Sequence, residues 1–159
     1  YKVNSMSTPK GKIIAQNKDG LFNYEVLETY QAGLVLTGSE VKAIKLGQIS
    51  LKGAYVTIGA DGEVWLVKSY VSPYKPASGH QKNYDPDHKR KLLLRQKEID
   101  SLIGKSKQQG LTIIPINVYT KRGLIKVDIA LARGKSKTDK REAIKKRDVE
   151  REIRRTLKQ

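Results

Sequence analysis

The sequence has no cysteine, so it can form no disulfide and offers no thiolate to a metal. It has only two histidines, His80 and His88, both in polar loop sequence, so a zinc site lacks ligands. No apolar run approaches the roughly 18–20 residues that a membrane span needs. No charged start followed by an apolar stretch marks a secretory signal, so the chain is expected to be cytoplasmic with no membrane partner. Catalytic patterns are missing as well. There is no G-x-S-x-G nucleophile turn. Gly134-Lys135-Ser136 resembles the end of a phosphate loop, but position 129 is Ile and a polar tail follows. The acidic residues are scattered, which leaves no two-carboxylate metal site. No cofactor, no catalytic residue and no enzyme activity are expected.

What the chain does have is positive charge. Its 159 residues carry a net +16 and give a pI of about 10.0. Residues 134–159 hold 11 Lys and Arg against 5 Asp and Glu, and residues 1–133 hold 21 against 11. The body is therefore basic in its own right, at a cost in self-repulsion that a polyanionic partner relieves.

Residues 1–11 read as an unstructured leader and residues 12–133 as one folded domain. A strand is expected over Lys12–Gln16, then a turn at Asn17-Lys18-Asp19-Gly20. Leu21–Thr29 alternates as a strand, and Tyr30-Gln31-Ala32-Gly33 bends the chain into Leu34-Val35-Leu36. Thr37-Gly38-Ser39-Glu40 is a capping box for a helix from Gly38 to Leu46, closed by Gly47. Val41 and Ile44 face the core, with Lys42 and Lys45 outside. Ala54–Gly59 and Glu63–Val71 form strands about the turn Ala60-Asp61-Gly62. Ser72–Pro86 is a long loop, and loops of that length often bind. Leu92-Leu93-Leu94 is a buried strand or a helix start. Gln96–Gln109 is a helix with Ile99, Leu102 and Ile103 on its apolar face. Leu111–Tyr119 and Leu124–Ala132 form a hairpin, with Ile125, Val127, Ile129 and Leu131 inward and Lys126 and Asp128 outward. The fold class that results is mainly β: an OB-like closed or partly open barrel with two to three flanking helices and a basic C-terminal tail.

The tail, residues 134–159, has too few apolar residues to offset its ordering entropy, so it is expected to be disordered or frayed when free. Gly134–Arg141 reads as a hinge and probe and Ala143–Leu157 as a helix that forms against a partner. On that helix Val149, Ile153 and Leu157 lie within about 80° at 100° per residue.

The basic residues Lys42, Lys45, Lys89, Arg90, Lys91 and Arg95 are candidates to neutralise phosphates. Tyr24, Tyr55 and Tyr84 are candidates to stack on unpaired bases, or else sit half-buried at the barrel rim. His80 is a further stacking candidate, and otherwise both histidines are solvated loop residues. Charge and fold leave the function open between an RNA-delivery factor, a constitutive ribosomal or RNA-scaffold protein, and a nuclease.

Four stretches narrow this. Gln16-Asn17-Lys18, ETYQAGLVLTGSEVK at Glu28–Lys42, Arg90-Lys91-Leu92-Leu93-Leu94, and Ala132-Arg133-Gly134-Lys135 followed by Asp139-Lys140-Arg141 together resemble the small protein B family. The resemblance spans the chain from about residue 12 to the tail. It implies an OB-like barrel that binds the tRNA-like domain of tmRNA and delivers it to stalled ribosomes in trans-translation. It implies a non-enzymatic protein whose tail becomes helical in the empty mRNA channel, beside the 16S rRNA of the decoding centre. Elongation factor Tu and alanyl-tRNA synthetase would be partners only indirectly, through tmRNA. By position, Asn17, Lys18, Tyr24, Gln31, Lys45, Leu93 and Arg95 would face RNA. Gly134, Lys135, Lys137, Thr138, Asp139, Lys140, Arg141, Lys145, Lys146 and Arg147 would face the ribosome. Three positions depart from the family pattern. Gln31 stands where Glu is usual and Arg95 where Asn or His is common. Thr138 replaces a His or Tyr whose ring could stack on a ribosomal base.

Overall fold

A computed structural model describes residues 11–76, 83–108 and 110–157, apart from the side chains of residues 137–140 and 143. Nine strands and four helices follow one another in these residues. Six antiparallel strands form a ring: β8 (Leu111–Lys121), β4 (Tyr55–Ile58), β5 (Val64–Val67), β7 (Arg90–Leu93), β2 (Tyr24–Leu34) and β9 (Leu124–Gly134), with β9 returning to β8. The β4–β8 seam is one residue pair, Val56 and Ile113, so the OB-like barrel is open along that edge. The strand β1 (Ile13–Gln16) lies outside the ring, on β8. The short strands β3 (Ile49–Ser50) and β6 (Tyr70–Val71) pair separately.

The barrel interior is aliphatic. Val56, Val64, Leu66, Leu92, Ile113, Val127, Ile129 and Leu131 fill it, and Ile44 and Leu102 are brought in from α2 (Gly38–Lys45) and α3 (Gln96–Ser106). The Thr37–Glu40 capping box is present, with Thr37 Oγ1 accepting from the Glu40 amide at 3.2 Å. Lys42 and Lys45 are exposed, as the helical period requires. Helix α3 is tied to β2 by Lys105, whose Nζ meets Glu28 Oε2 at 2.6 Å. The hydrogen bond from Lys105 and one from Tyr30 hold the Glu28 carboxyl below its ordinary pKa, against a smaller effect of burial.

Four local expectations are corrected. Lys18–Asn23 is a helix, α1, rather than a turn and the start of a strand. Asn17 caps it, its Oδ1 accepting from the Gly20 amide at 3.0 Å. The strand β2 does not bend at Tyr30–Gly33. It runs unbroken to Leu34, because β9 pairs with it from Tyr24 to Gly33. The return strand after Glu63 breaks at Lys68, which has φ 63°, and so the chain leaves the barrel wall before β6. Asp128 faces outward but is buried, for β9 is covered on both faces. Inside lies the barrel core. Outside, a second cluster packs Leu21, Tyr24 and Val26 against Ile114, Ile116, Ala130 and Ala132. The two alanines leave room for α1 to lie close against the strands.

Residues 137–157 form one helix, α4 (Lys137–Leu157). It starts within the stretch expected to be a hinge and probe, and it meets the body at α1, where Arg147 Cζ lies 4.9 Å from the Phe22 ring centroid. No described helix is long and apolar enough to cross a membrane. The leader expected over residues 1–11 lies, through residue 10, outside the described residues.

Candidate nucleic-acid interface

The run Lys89-Arg90-Lys91 is uniform in sequence but divided in space. Arg90 points into the protein and is 1% exposed. Its Nε donates to Glu40 Oε2 at 2.6 Å, Nη1 to Ser69 O and Oγ at 3.0 Å each, and Nη2 to Pro86 O at 2.9 Å and Tyr84 Oη at 3.0 Å. A guanidinium so enclosed has no donor left for a phosphate, and Arg90 is removed from the RNA-facing set. Burial drives the Glu40 carboxyl up, but the Thr37 amide, Arg90 and His88 together hold it below its ordinary pKa. His88 is also corrected. Its Nε2 lies 3.0 Å from Glu40 Oε2, so this ring, though partly exposed, belongs to the network. Tyr84 takes the rim position, donating to Val71 O at 2.8 Å. His80 lies outside the described residues.

Lys89 and Lys91, on either side, reach the surface. Lys89 Nζ sits 4.2 Å from the Trp65 ring centroid, and Lys91 Nζ is 2.7 Å from Glu63. Lys42 Nζ stands 5.6 Å from the Tyr74 ring, and Lys45 is exposed nearby on the same helix. Arg95 is exposed at the start of α3, where its amide donates to Glu98 Oε1 at 3.1 Å.

Two groups of candidates emerge on the outer wall. The first is built where β2 meets β7 and β9. Leu93, 52% exposed, pairs with Gly33, and Gly33 also pairs with Lys126. A Cβ on Gly33 would lie 3.4 Å from Leu93 Cβ and 3.5 Å from Lys126 Nζ. The bare glycine thus lets an apolar side chain and a cation converge. Gln31 lies two residues earlier on the same face. Its Nε2 donates to Tyr119 Oη, and its Oε1 accepts from Lys121 Nζ at 3.3 Å. Tyr119 in turn donates to Asp128 Oδ1 at 2.9 Å. Burial pushes both the Tyr119 hydroxyl and the Asp128 carboxyl up. Lys121 and Lys126 were absent from the sequence candidates. The outward period of β9 marked Lys126 as exposed, but nothing in the sequence showed that Leu93 would stand beside it.

The second group surrounds α1. Asn17 is 5% exposed and spends both ends of its amide internally, on Gly20 and on Pro115 O at 2.9 Å. Its role is to fix α1, so it too leaves the contact set. A Cβ at Gly20 would fall 2.5 Å from Asn17 Nδ2, so only glycine permits this closure. Lys18 is exposed, and Tyr24 is half-buried at the end of α1. Gly134 ends β9 opposite Tyr24, and the Lys135 amide donates to Asn23 O at 2.9 Å. The tail therefore departs from the α1 side of the barrel. Arg141, Lys145, Lys146 and Arg147 are exposed along α4. The side chains of Lys137, Thr138, Asp139 and Lys140 lie outside the described residues.

A basic antiparallel barrel with cations and half-exposed aromatics on its outer wall defines a class, the small OB-like RNA-binding barrels. The SmpB protein family matches residues 14–159, and this chain belongs to that family. It is 53% identical over 149 residues to the SsrA-binding protein of Sulfurihydrogenibium sp., covering 92% of this chain and 95% of the relative. It is 46% identical over 154 residues to that of Streptococcus mutans, covering 97% of each. A solved structure described as "tmRNA-SmpB: a journey to the center of the bacterial ribosome" aligns with TM-score 0.64 and 40% identity, over 83% of this chain and 94% of that one.

Proposed function

We propose that this protein binds the tRNA-like domain of tmRNA through its barrel and delivers that RNA to stalled ribosomes for trans-translation. The observation that carries this is the near full-length match to proteins named for SsrA binding, joined to a body that is itself strongly basic. On this reading the protein works in the cytoplasm, is not an enzyme and uses no cofactor. It meets elongation factor Tu and alanyl-tRNA synthetase only through the RNA. The RNA-facing set is Lys18, Tyr24, Gln31, Lys42, Lys45, Lys89, Lys91, Leu93 and Arg95, extended by Lys121 and Lys126. The tail, already helical from Lys137 to Leu157, enters the empty mRNA channel and tests the decoding centre with Lys135 to Arg147.

The test separates body from tail. A chain ending at residue 133 is expected to bind tmRNA with near-normal affinity and to support no peptide tagging. Loss of tmRNA binding on that truncation would sink the division of labour. A constitutive ribosomal role would show instead as about one copy per ribosome in unstalled cells.

A further inference from the structure

The outer wall carries a groove of about 450 Å³ that joins Tyr24 of the RNA-facing set to residues assigned no role above, Asp19, Lys52 and Tyr55. One side is Asp19 of α1 and Tyr24, the first residue of β2. The other is the loop joining β3 to β4, with Lys52, and the first residue of β4, Tyr55. Thr112 and Ile114 of β8 form the floor. A second hollow of about 200 Å³ shares Asp19 and Lys52 with the first and continues to Lys18.

Each part of this lining suits a different part of a nucleotide. Two half-buried tyrosines and an apolar floor offer flat surface to a base, which stacks on aromatic faces whatever its identity. Lys52 is exposed where the hollows join and Lys18 is exposed in the second, both suited to a phosphate that remains at the surface. The Asp19 carboxylate is exposed and disfavours a phosphate deep in the groove, yet accepts well from an amino-bearing base edge. The groove is far larger than an ion needs.

We propose that this groove receives a single unpaired nucleotide of the bound RNA, its base against Tyr24 and Tyr55, its phosphate at Lys52, and its amino edge on Asp19. This rests on the RNA-binding reading above and adds a site to it. Bases with an exocyclic amine are favoured over those without.

The test uses the full chain and two hairpin RNAs, one fully paired and one with a single bulged 2-aminopurine. The bulged hairpin is expected to bind about ten-fold more tightly, with the fluorescence of 2-aminopurine quenched by stacking. Tyr55→Leu is expected to remove that preference and the quenching, and Tyr55→Phe to keep both. Asp19→Ala changes an exposed residue and removes the acceptor. It is expected to erase the advantage of 2-aminopurine over unsubstituted purine at the bulge. Equal affinity for the two hairpins overturns the proposal, as does a bulge preference that survives both Tyr55→Leu and Asp19→Ala. The tRNA-like domain of tmRNA is the control. If the wild-type chain fails to bind it, the proposed function falls, and if it binds it without any bulge preference, only the groove does.

Discussion

Arg90 and Lys91 are adjacent, both basic, and opposite in what they do. Arg90 is sealed in a polar network between α2, the β6–β7 loop and β7, whereas Lys91 is 39% exposed beside an equally exposed Glu63. The strand period decides this, since successive side chains leave opposite faces of a strand. Charge in a sequence therefore marks a partner only after the strand face is known. Inward, the same charge is a structural part.

The comparison breaks most sharply by mutation. Arg90→Ala strands the Glu40 carboxylate in the interior, and about 3–5 kcal/mol of stability is expected to go with it. Lys91→Ala is expected to cost under about 1 kcal/mol, as for other exposed pairs. Urea unfolding of both variants checks this, and similar losses would refute the division.

Asn17→Ala tests the other internal polar residue. It removes a cap and the side-chain donor to Pro115 O, so about 2 kcal/mol is expected. Asn17→Asp keeps the cap oxygen but sets a buried carboxylate oxygen against Pro115 O, and is expected to cost at least as much in the same unfolding measurement.

A pH titration sharpens the same contrast. The folded Glu40 carboxyl lies below its ordinary value of 4.5. Its stabilisation is therefore complete above about pH 4.5 and is lost as pH falls through the folded pKa. The urea midpoint of wild type should drop more steeply below pH 5 than that of Glu40→Gln. Parallel curves would show that the carboxylate contributes nothing special.

The smallest effects on stability belong to the outer wall. Lys126→Ala is expected to leave the unfolding midpoint unchanged while lowering the slope of log K against log salt for RNA by about 0.9. An unchanged slope would mean that Lys126 makes no phosphate contact.

Local signals in the sequence were read well where they are self-contained. The Thr37–Glu40 capping box, the Ala60-Asp61-Gly62 turn and the inward period of β9 depend only on near neighbours, and each is present. What was misread depends on long-range partners. Asn17-Lys18-Asp19-Gly20 has turn composition, but Pro115 O, 98 residues away, holds the Asn17 amide and starts a helix there. Gln31 looked like part of a bend until β9 paired alongside it. The candidate site was legible as a set of cations and rings, though not as a surface. Sequence could not show that Arg90 and Asn17 turn inward, nor that Lys126 joins Leu93 across a bare Gly33.

The tail helix has one further consequence. Its 21 residues make an arm about 31 Å long, so a pivot of about 10° at its base carries Leu157 through about 5 Å. The Lys135 amide, bonded to Asn23 O, and Arg147, over the Phe22 ring, both tie the arm to α1. Small changes in how α1 sits are thereby geared up into large displacements at the far end of the chain.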